Sequence, residues 1–258
     1  MAVREHAELG VGAADRAVDA TPRVSVVVPT LNEAANLPHI LPALRDYEVI
    51  VVDGGSTDGT LEVARKYAPH ALLLRQDRKG KGNALMCGID AAGGEIIVTL
   101  DADGSARVDE IPRFVAALEA GADFAKGSRH LPGGGSADLT FVRSLGNRFL
   151  GLLVNTLFGT RYTDLCYGYN AFWTKHAHAL EITCDGFEVE TLLHLRAHAA
   201  DLVVAEVPSY EDCRLNGGSN LRPFRDGFRI LKIILHERFR RRDVRVPRRV
   251  REPLPDTP

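Results

Sequence analysis

Two carboxylates, Asp101 and Asp103, directly follow a run of apolar residues at positions 96–100. In a strand, residues two apart lie on the same face, so both side chains point the same way at the carboxyl edge of a sheet. Hard cations prefer oxygen ligands, and Mg²⁺ is usually held by one or two carboxylates together with substrate phosphates. The spacing therefore suggests a metal and diphosphate site, with ordinary turn chemistry after a strand as the alternative.

Two further segments have the composition of ligand-binding loops. Asp53 ends a second apolar run and precedes Gly54 and Gly55. Glycines let a ligand approach the backbone closely, and a carboxylate there can accept hydrogen bonds from a base or a ribose. Residues 78–83 form a basic, glycine-interrupted loop that contains Lys81, and backbone N–H groups in such a loop can hold a phosphate. A tight turn and a solvated run of charges are the alternatives.

These residues need a scaffold that brings strand ends together, and the first half of the chain predicts one. Apolar runs that predict strands lie at residues 24–29, 47–53, 71–75, 95–101 and 122–126. Helical patterns lie between them at residues 32–44, with Asn32 as the cap, and at 57–67, 83–92 and 109–120. Apolar strands that alternate with helices are typical of a parallel sheet covered on both faces, which binds ligands beyond the carboxyl ends of its strands.

The second half of the chain predicts two long helices and one further strand. Residues 141–158 are strongly apolar with helical periodicity, which fits either a lipid-lined groove or a core helix. Residues 222–242 predict a basic amphipathic helix, and residues 202–207 predict the strand. A helix of this composition can lie on an anionic membrane surface, or it can pack on the domain with its basic side in solvent.

The composition, with 45% hydrophobic and 26% charged residues and a formal net charge of −2, is that of a globular protein. Between Arg214 and Arg251, however, there are thirteen Arg or Lys and three Asp or Glu residues, which favours an anionic partner. The four cysteines show no CxxC spacing, which argues against a zinc site and for reduced thiols in the cytoplasm. No run of about 18 apolar residues predicts a membrane span.

Several segments, taken in order, resemble family-2 glycosyltransferases of the GT-A fold, and the later ones resemble the branch of dolichyl-phosphate mannosyltransferases and polyprenyl-phosphate glycosyltransferases. The resemblance covers residues 24–235 and implies an α/β fold with a mostly parallel central sheet flanked by helices. The segments are VVVPTLNE (26–33), VVDGGSTDGT (51–60), LDADGS (100–105), GSR (127–129), Arg143, DLCYGY (164–169), EVP (206–208) and RLNGGS (214–219).

The resemblance also implies site residues. The expected donor-binding residues are Pro29, Glu33, Asp53 and Asp101, together with Lys81 of the basic loop. Asp101 and Asp103 match the metal motif and would hold Mg²⁺ or Mn²⁺. The residues expected near the donor diphosphate or the acceptor phosphate are Arg129, Arg143, Arg214 and Ser219. The expected catalytic residues are Asp101, Asp103, Asp164 and Arg129. The chain departs from the family pattern at Leu31, Ser105, Cys166 and Asn220.

The implied reaction moves a hexose, with inversion, from a nucleoside diphosphate of the GDP-mannose or UDP-glucose type to a polyprenyl or dolichyl phosphate. A carboxylate-bound cation would neutralise the leaving diphosphate. A phosphate acceptor is already ionised near pH 7, whereas a hydroxyl acceptor would need a base, for which Asp164, Glu188 and Glu190 are candidates. The last two lie near a helix start, where acids also stabilise the helix dipole.

Two other functions stay open. The first is a soluble transferase that glycosylates a small metabolite or a peptide hydroxyl. The second is a nucleic-acid-binding protein, which would use the basic C-terminal region but would leave Asp101 and Asp103 unexplained.

The expected partners are a nucleotide-sugar donor, a polyprenyl phosphate acceptor and the cytoplasmic face of a membrane, with no nucleic acid; a homodimer is left open. The expected organisation is a glycosyltransferase domain at residues 23–222 and the basic helix at 223–243, between disordered tails at 1–22 and 244–258.

Overall fold

A seven-stranded sheet forms the centre of the computed structural model, which describes residues 22–218 and 221–240. In chain order the strands are β1 (Val24–Thr30), β2 (Glu48–Asp53), β3 (Leu72–Arg75), β4 (Ile96–Thr99), β5 (Phe124–Ser128), β6 (Gly135–Ser136), β7 (Asn170–Trp173), β8 (Val204–Pro208) and β9 (Tyr210–Glu211). The order across the large sheet is β3-β2-β1-β4-β7-β5-β8, and β6 pairs with β9 in a separate small sheet.

The strands that precede the candidate site are parallel. β1 pairs in parallel with β2 on one side and with β4 on the other, so their carboxyl ends meet at one edge. Side chains alternate between the two faces, since Val26 and Val28 belong to one core cluster and Val27 belongs to the other. Burial on both faces explains why these strands read as continuous apolar runs. The predicted mostly parallel sheet is confirmed.

β7 is antiparallel to both of its neighbours, β4 and β5. The sequence did not predict this strand, which forms by pairing with two strands that are distant along the chain. Its register places Asn170 opposite Thr99 at the end of β4, so the chain that enters β7 crosses the carboxyl edge of the parallel strands. Residues 164–169 are thereby brought to the edge where Asp101 and Asp103 lie.

Helices cover both faces of the sheet. In chain order they are α1 (Leu37–Ile40), α2 (Thr60–Tyr67), α3 (Lys81–Ala91), α4 (Ile111–Glu119), α5 (Phe141–Phe158), α6 (Ala177–Leu180), α7 (Val189–Ala199) and α8 (Pro223–Phe239). Buried residues of α1, α2 and α4 form the core on one face, and buried residues of α3, α6 and α7 form the core on the other.

The helices α5 and α8 pack on each other and on α7 through a third apolar cluster, which contains Leu150, Val154, Leu195, Ile230 and Ile234. On their outer sides, the same two helices expose further apolar side chains to solvent. These are Phe141, Val142, Leu145, Phe149, Leu152, Phe224, Phe228, Leu235 and Phe239. Within the described residues, no helix is long and apolar enough to cross a membrane.

Several sequence expectations need correction. Asn32 does not cap a helix: it has a left-handed backbone with φ of 57°, and its side-chain oxygen accepts a hydrogen bond from the Thr57 N–H instead. The first helix begins only at Leu37 and continues as a 3₁₀ turn to Leu44. The helix α3 begins at Lys81, two residues earlier than predicted. Ser219 and the tails expected at 1–22 and 244–258 lie outside the described residues, apart from Pro22.

Candidate active site

A cavity of about 490 Å³ opens at the carboxyl edge of the parallel strands. Most of the residues singled out in the sequence line it, although they come from distant parts of the chain. These lining residues are Pro29, Glu33, Lys81, Asp101, Asp103, Arg129, Arg143 and Arg214. Asp53 and Asp164 lie behind the wall, and each has 1% of its surface exposed.

Asp101 shares the ammonium group of Lys81 with a third residue, Glu190. Lys81 Nζ lies 2.6 Å from Asp101 Oδ1 and 2.7 Å from Glu190 Oε1. Burial opposes the charged ammonium, but the two carboxylates outweigh it and raise the pKa of Lys81 above its ordinary value. The backbone of Gly168 packs directly against these groups, and a Cβ at this position would lie 2.7 Å from Lys81 Nζ. A side chain at position 168 would therefore separate the three charges.

Asp103 pairs with the guanidinium of Arg214 at 3.1 Å, and the same guanidinium reaches Glu33 at 2.9 Å. The other carboxylate oxygen of Asp103 accepts hydrogen bonds from the backbone and the hydroxyl of Ser105, at 2.9 and 2.7 Å. Leu215 donates its N–H to the Asp103 carbonyl at 3.1 Å. The segment that carries Arg214 is thus fixed across the loop that carries Asp103.

The donor set fits a divalent cation bound together with a phosphate. Asp101 and Asp103 both face the cavity, and their side chains are 36% and 16% exposed. Across residues 22–218 and 221–240, no group of three or more His, Cys, Asp or Glu side chains could hold a metal ion. Mg²⁺ commonly binds through one or two carboxylates and completes its shell with water and substrate phosphates. Asp101 and Asp103 suit that mode rather than an all-protein site.

Asp53, the acid expected to bind the nucleotide base, ends β2 and has 1% of its surface exposed. Its carboxylate accepts hydrogen bonds from the backbone N–H groups of Gly55 and Ser56, at 3.1 and 3.2 Å. Gly55 has φ of 91°, a conformation that glycine adopts without strain, so the turn and the carboxylate stabilise each other. Asp53 itself does not line the cavity, whereas Gly54, Gly55 and Gln76 do.

Arg129 and Asp164 form a buried ion pair. Arg129 Nε and Nη2 donate to the two carboxylate oxygens of Asp164 at 2.7 and 3.0 Å, and Nη1 donates to Glu211 at 3.0 Å. Burial would raise the pKa of Asp164, but the hydrogen bonds and charge of Arg129, helped by the charge of Lys126, lower it well below its usual range. Because Arg129 engages both carboxylate oxygens and the pKa of Asp164 is lowered, Asp164 is a weak candidate for a general base, and that role stays a prediction.

Arg143 reaches the cavity from α5. Its guanidinium lies 3.0 Å from the carboxylate of Asp138, which also lines the cavity. Neither Asp138 nor Glu211 was predicted from the sequence, since Asp138 lies in a loop and Glu211 lies in a two-residue strand. Both become recognisable only when the fold places them beside Arg143 and Arg129.

Glu188 and Glu190, the other two candidates for a general base, lie in different surroundings. Glu190 lines the cavity, and burial, opposed by Lys81, raises its pKa above the ordinary value. Glu188 instead accepts a hydrogen bond from the Gly186 N–H and does not line the cavity. Cys166 also lines the cavity, but burial raises the pKa of its thiol to about 12, so it stays neutral near pH 7.

Comparison with known proteins identifies the family. The sequence model of glycosyl transferase family 2 matches residues 25–177, which include most of β1, all of β2 to β7 and the loops that carry Asp101 and Asp103. The chain belongs to glycosyl transferase family 2. It is therefore a glycosyltransferase, as the sequence analysis predicted.

Relatives of this glycosyltransferase extend the match into the second half of the chain. It is 31% identical over 242 residues to a polyprenol monophosphomannose synthase of Mycolicibacterium smegmatis, and the aligned region covers 86% of this chain and 91% of the relative. It is 30% identical over 226 residues to glycosyltransferase AglJ of Haloferax volcanii, and the aligned region covers 84% of this chain and 71% of the relative.

Solved structures show the same fold. A structure of glucosyl-3-phosphoglycerate synthase from Mycobacterium tuberculosis with Mn²⁺, uridine diphosphate and phosphoglyceric acid superposes with a TM-score of 0.68 at 22% identity. The match covers 84% of this chain and 79% of that one. The GT-A fold expected from the sequence is confirmed.

Proposed function

We propose that this glycosyltransferase transfers a hexose, with inversion and with the help of a divalent cation, from a nucleoside diphosphate sugar to a polyprenyl phosphate. One observation carries the proposal. A single cavity is lined by two carboxylates suited to a divalent cation and by several arginines, and the helix that supplies Arg143 also presents an exposed apolar face. A sugar nucleotide and a phosphorylated lipid match these features.

The donor side is supported by the loops at the carboxyl edge of the sheet. Asp101 and Asp103 would hold Mg²⁺ or Mn²⁺, and that cation would neutralise the charge that develops on the leaving diphosphate. Lys81 and Arg214 already lie within hydrogen-bond distance of these carboxylates, so they are close enough to reach phosphate oxygens in the same region. Pro29, with its neighbouring loop residues, lines the part of the cavity that would take the nucleoside.

The acceptor side is supported by Arg143 and by the surroundings of the cavity. Arg143 lines the cavity, and so does Leu221, two residues before α8 begins. The exposed apolar side chains of α5 and α8 therefore lie on the two helices that lead away from the cavity. Exposed basic side chains accompany them, namely Arg148, Arg222, Arg225, Arg229, Lys232 and Arg238. Apolar and basic side chains together favour an anionic membrane surface, where a polyprenyl phosphate resides.

The relatives point to the same class of acceptor, since the M. smegmatis relative is named as a polyprenol monophosphomannose synthase. A second acceptor class is favoured by a specific observation. The structurally similar M. tuberculosis synthase was crystallised with phosphoglyceric acid, a small phosphorylated metabolite. Arginines that hold a lipid phosphate could hold the phosphate of such a metabolite equally well.

The test is a matrix of donors and acceptors, with release of the nucleotide as the signal. Purified protein is supplied with UDP- or GDP-sugars, Mg²⁺ or Mn²⁺, and either a polyprenyl phosphate in detergent or 3-phosphoglycerate. We expect nucleotide release that depends on the metal and on the polyprenyl phosphate, and a product whose anomeric configuration is inverted by NMR. Release with phosphoglycerate and not with the lipid would establish the second class, and release without metal would contradict the donor assignment.

A further inference from the structure

We propose that Asn147 is a positioning residue for the phosphate-binding arginines of the cavity, an inference that rests on the proposed function. Asn147 lies on α5, four residues after Arg143, and has 5% of its surface exposed. It does not line the cavity, so it would act through Asp164 and Arg129.

Every hydrogen-bonding position of the Asn147 amide is used. Its oxygen accepts from the backbone N–H groups of Leu165 and Cys166, at 3.0 and 3.1 Å. Its nitrogen donates to Asp164 Oδ1 at 2.8 Å and lies 3.3 Å from His130 Nε2, which can accept when that nitrogen carries no proton. One side chain thus joins α5, the segment that enters β7, and the residue that follows Arg129.

The contact with Asp164 determines where Arg129 can lie. Asp164 accepts four hydrogen bonds: two from the Arg129 side chain, one from the Arg129 backbone N–H and one from Asn147. Arg129 in turn uses Nε, Nη2 and one hydrogen of Nη1 on Asp164, Cys166 and Glu211. A guanidinium has five N–H groups, so about one is left for a ligand in the cavity. Since only one direction remains, a small tilt of Asp164 would turn that N–H away.

Asn147 also fixes the rotation of α5. Residues four apart lie on one side of a helix, so Arg143 and Asn147 share the inner side of α5, whereas Val142 and Leu145 are exposed. Asn147 is anchored to the backbone of Leu165 and Cys166, which prevents the helix from turning Arg143 outward. The same amide therefore sets the positions of two arginines that come from different elements.

A second asparagine on α5 provides a matched control. Asn155 Oδ1 accepts hydrogen bonds from the Tyr162 N–H and the Thr160 hydroxyl, at 2.9 and 2.8 Å, and its nitrogen donates to the Tyr162 carbonyl at 2.9 Å. Like Asn147, it ties α5 to the chain that follows the helix. Unlike Asn147, it contacts neither Arg129 nor Asp164, so it separates a structural role from a positioning role.

The experiment compares Asn147→Asp with Asn155→Asp. Each substitution keeps the oxygens that accept backbone hydrogen bonds and removes the amide donor, and Asn147→Asp also turns an acceptor toward Asp164. We expect Asn147→Asp to raise the KM for polyprenyl phosphate about 10- to 100-fold, while the KM for the donor stays within about threefold. Asn155→Asp should leave both KM values within about twofold at a comparable loss of thermal stability. Equal acceptor KM values in the two variants would overturn the proposal.

A second measurement needs no substrate. Hydrogen exchange at Arg129 Nε, followed by NMR in the full-length protein, reports the bond that this atom makes to Asp164. Protection should fall at least tenfold in Asn147→Asp and stay at the wild-type level in Asn155→Asp, and unchanged protection in both would overturn the proposal. If the wild-type protein transferred sugar to no phosphate acceptor, the proposed function would fail, while this measurement would still decide the role of Asn147.

Discussion

The exposed apolar side of α5 leads to a quantitative prediction. Phe141 and Phe149 are 81% and 62% exposed, and neither belongs to the apolar cluster that packs α5 on the domain. If this side of the helix contacts a membrane, the double substitution Phe141→Ser and Phe149→Ser should weaken binding to vesicles. Because both side chains are already in water, the free energy of unfolding should hardly change.

The magnitude follows from the exposed fractions of the two side chains. Complete transfer of a Phe side chain out of water contributes about 1.5–3 kcal/mol. Scaled by exposures of 81% and 62%, loss of both rings removes at most about 2–4 kcal/mol of membrane affinity. Partial insertion at the headgroup level would give about half of this. With partial insertion we therefore expect the partition coefficient to fall about 5- to 30-fold, since about 1.4 kcal/mol corresponds to one factor of ten.

The assay is co-sedimentation with vesicles that contain anionic lipid, at two salt concentrations. Leu72→Ser is the control, because Leu72 is 44% exposed but lies on β3, the edge strand at the far end of the sheet from β8. The control should bind as the wild type does, and binding of the wild type should weaken with salt because basic side chains flank the apolar ones. A folded double variant that binds as well as the wild type would refute the reasoning, and so would a wild type that does not bind at all.

Three further predictions concern the cavity and its supports. Asp103→Asn should lower metal-dependent nucleotide release about 100-fold or more, and undiminished turnover would contradict its assignment as a metal ligand. Asp164→Asn should lower the free energy of unfolding in urea by up to about 3–5 kcal/mol at pH 7, because the buried guanidinium of Arg129 keeps only Glu211 as a counter-charge. Folding lowers the pKa of Asp164, so the stabilisation from its negative charge is present above about pH 4 and is lost as the pH falls further. The free energies of unfolding of the wild type and of Asp164→Asn should therefore converge in acid. Gly82→Ala would place a Cβ 2.2 Å from the carbonyl oxygen of Cys184 and should cost about 1–3 kcal/mol. Gly146→Ala, with nothing within 4 Å, should be neutral or stabilising by up to about 1 kcal/mol, and equal melting temperatures would count against the close contact.

The parts of the fold that were predictable share a physical cause. β1, β2 and β4 are buried on both faces, so they had to be continuous apolar runs, and α5 was predicted with its observed bounds because its inner side repeats with helical periodicity. Asn32 was misread as a cap because Asn suits both a cap and a left-handed turn, and only the partner on the neighbouring loop decides between them. β7 was missed because its stability comes from two long-range pairings rather than from its own four residues.

The site was predictable wherever a residue type at a strand end indicates chemistry. Asp101 and Asp103 were found in this way, and the structure places both in the cavity. Asp53 and Asp164 were found too, yet burial and backbone or arginine hydrogen bonds place them behind the wall. Asn147 gave no signal, because an asparagine inside a helix has no distinctive neighbours in sequence, and its four partners lie at least 17 residues away along the chain.

The position of these features on α5 links the acceptor side of the cavity to the protein surface. Within three turns, one helix carries an arginine that lines the cavity (Arg143), the amide that fixes its rotation (Asn147), and two exposed aromatic side chains (Phe141 and Phe149). A rigid helix cannot change the orientation of one of these groups without changing the others. Any surface that orders the outer side of α5 must therefore also order the cavity side, so contact with a membrane and capture of a phosphorylated lipid would reinforce each other.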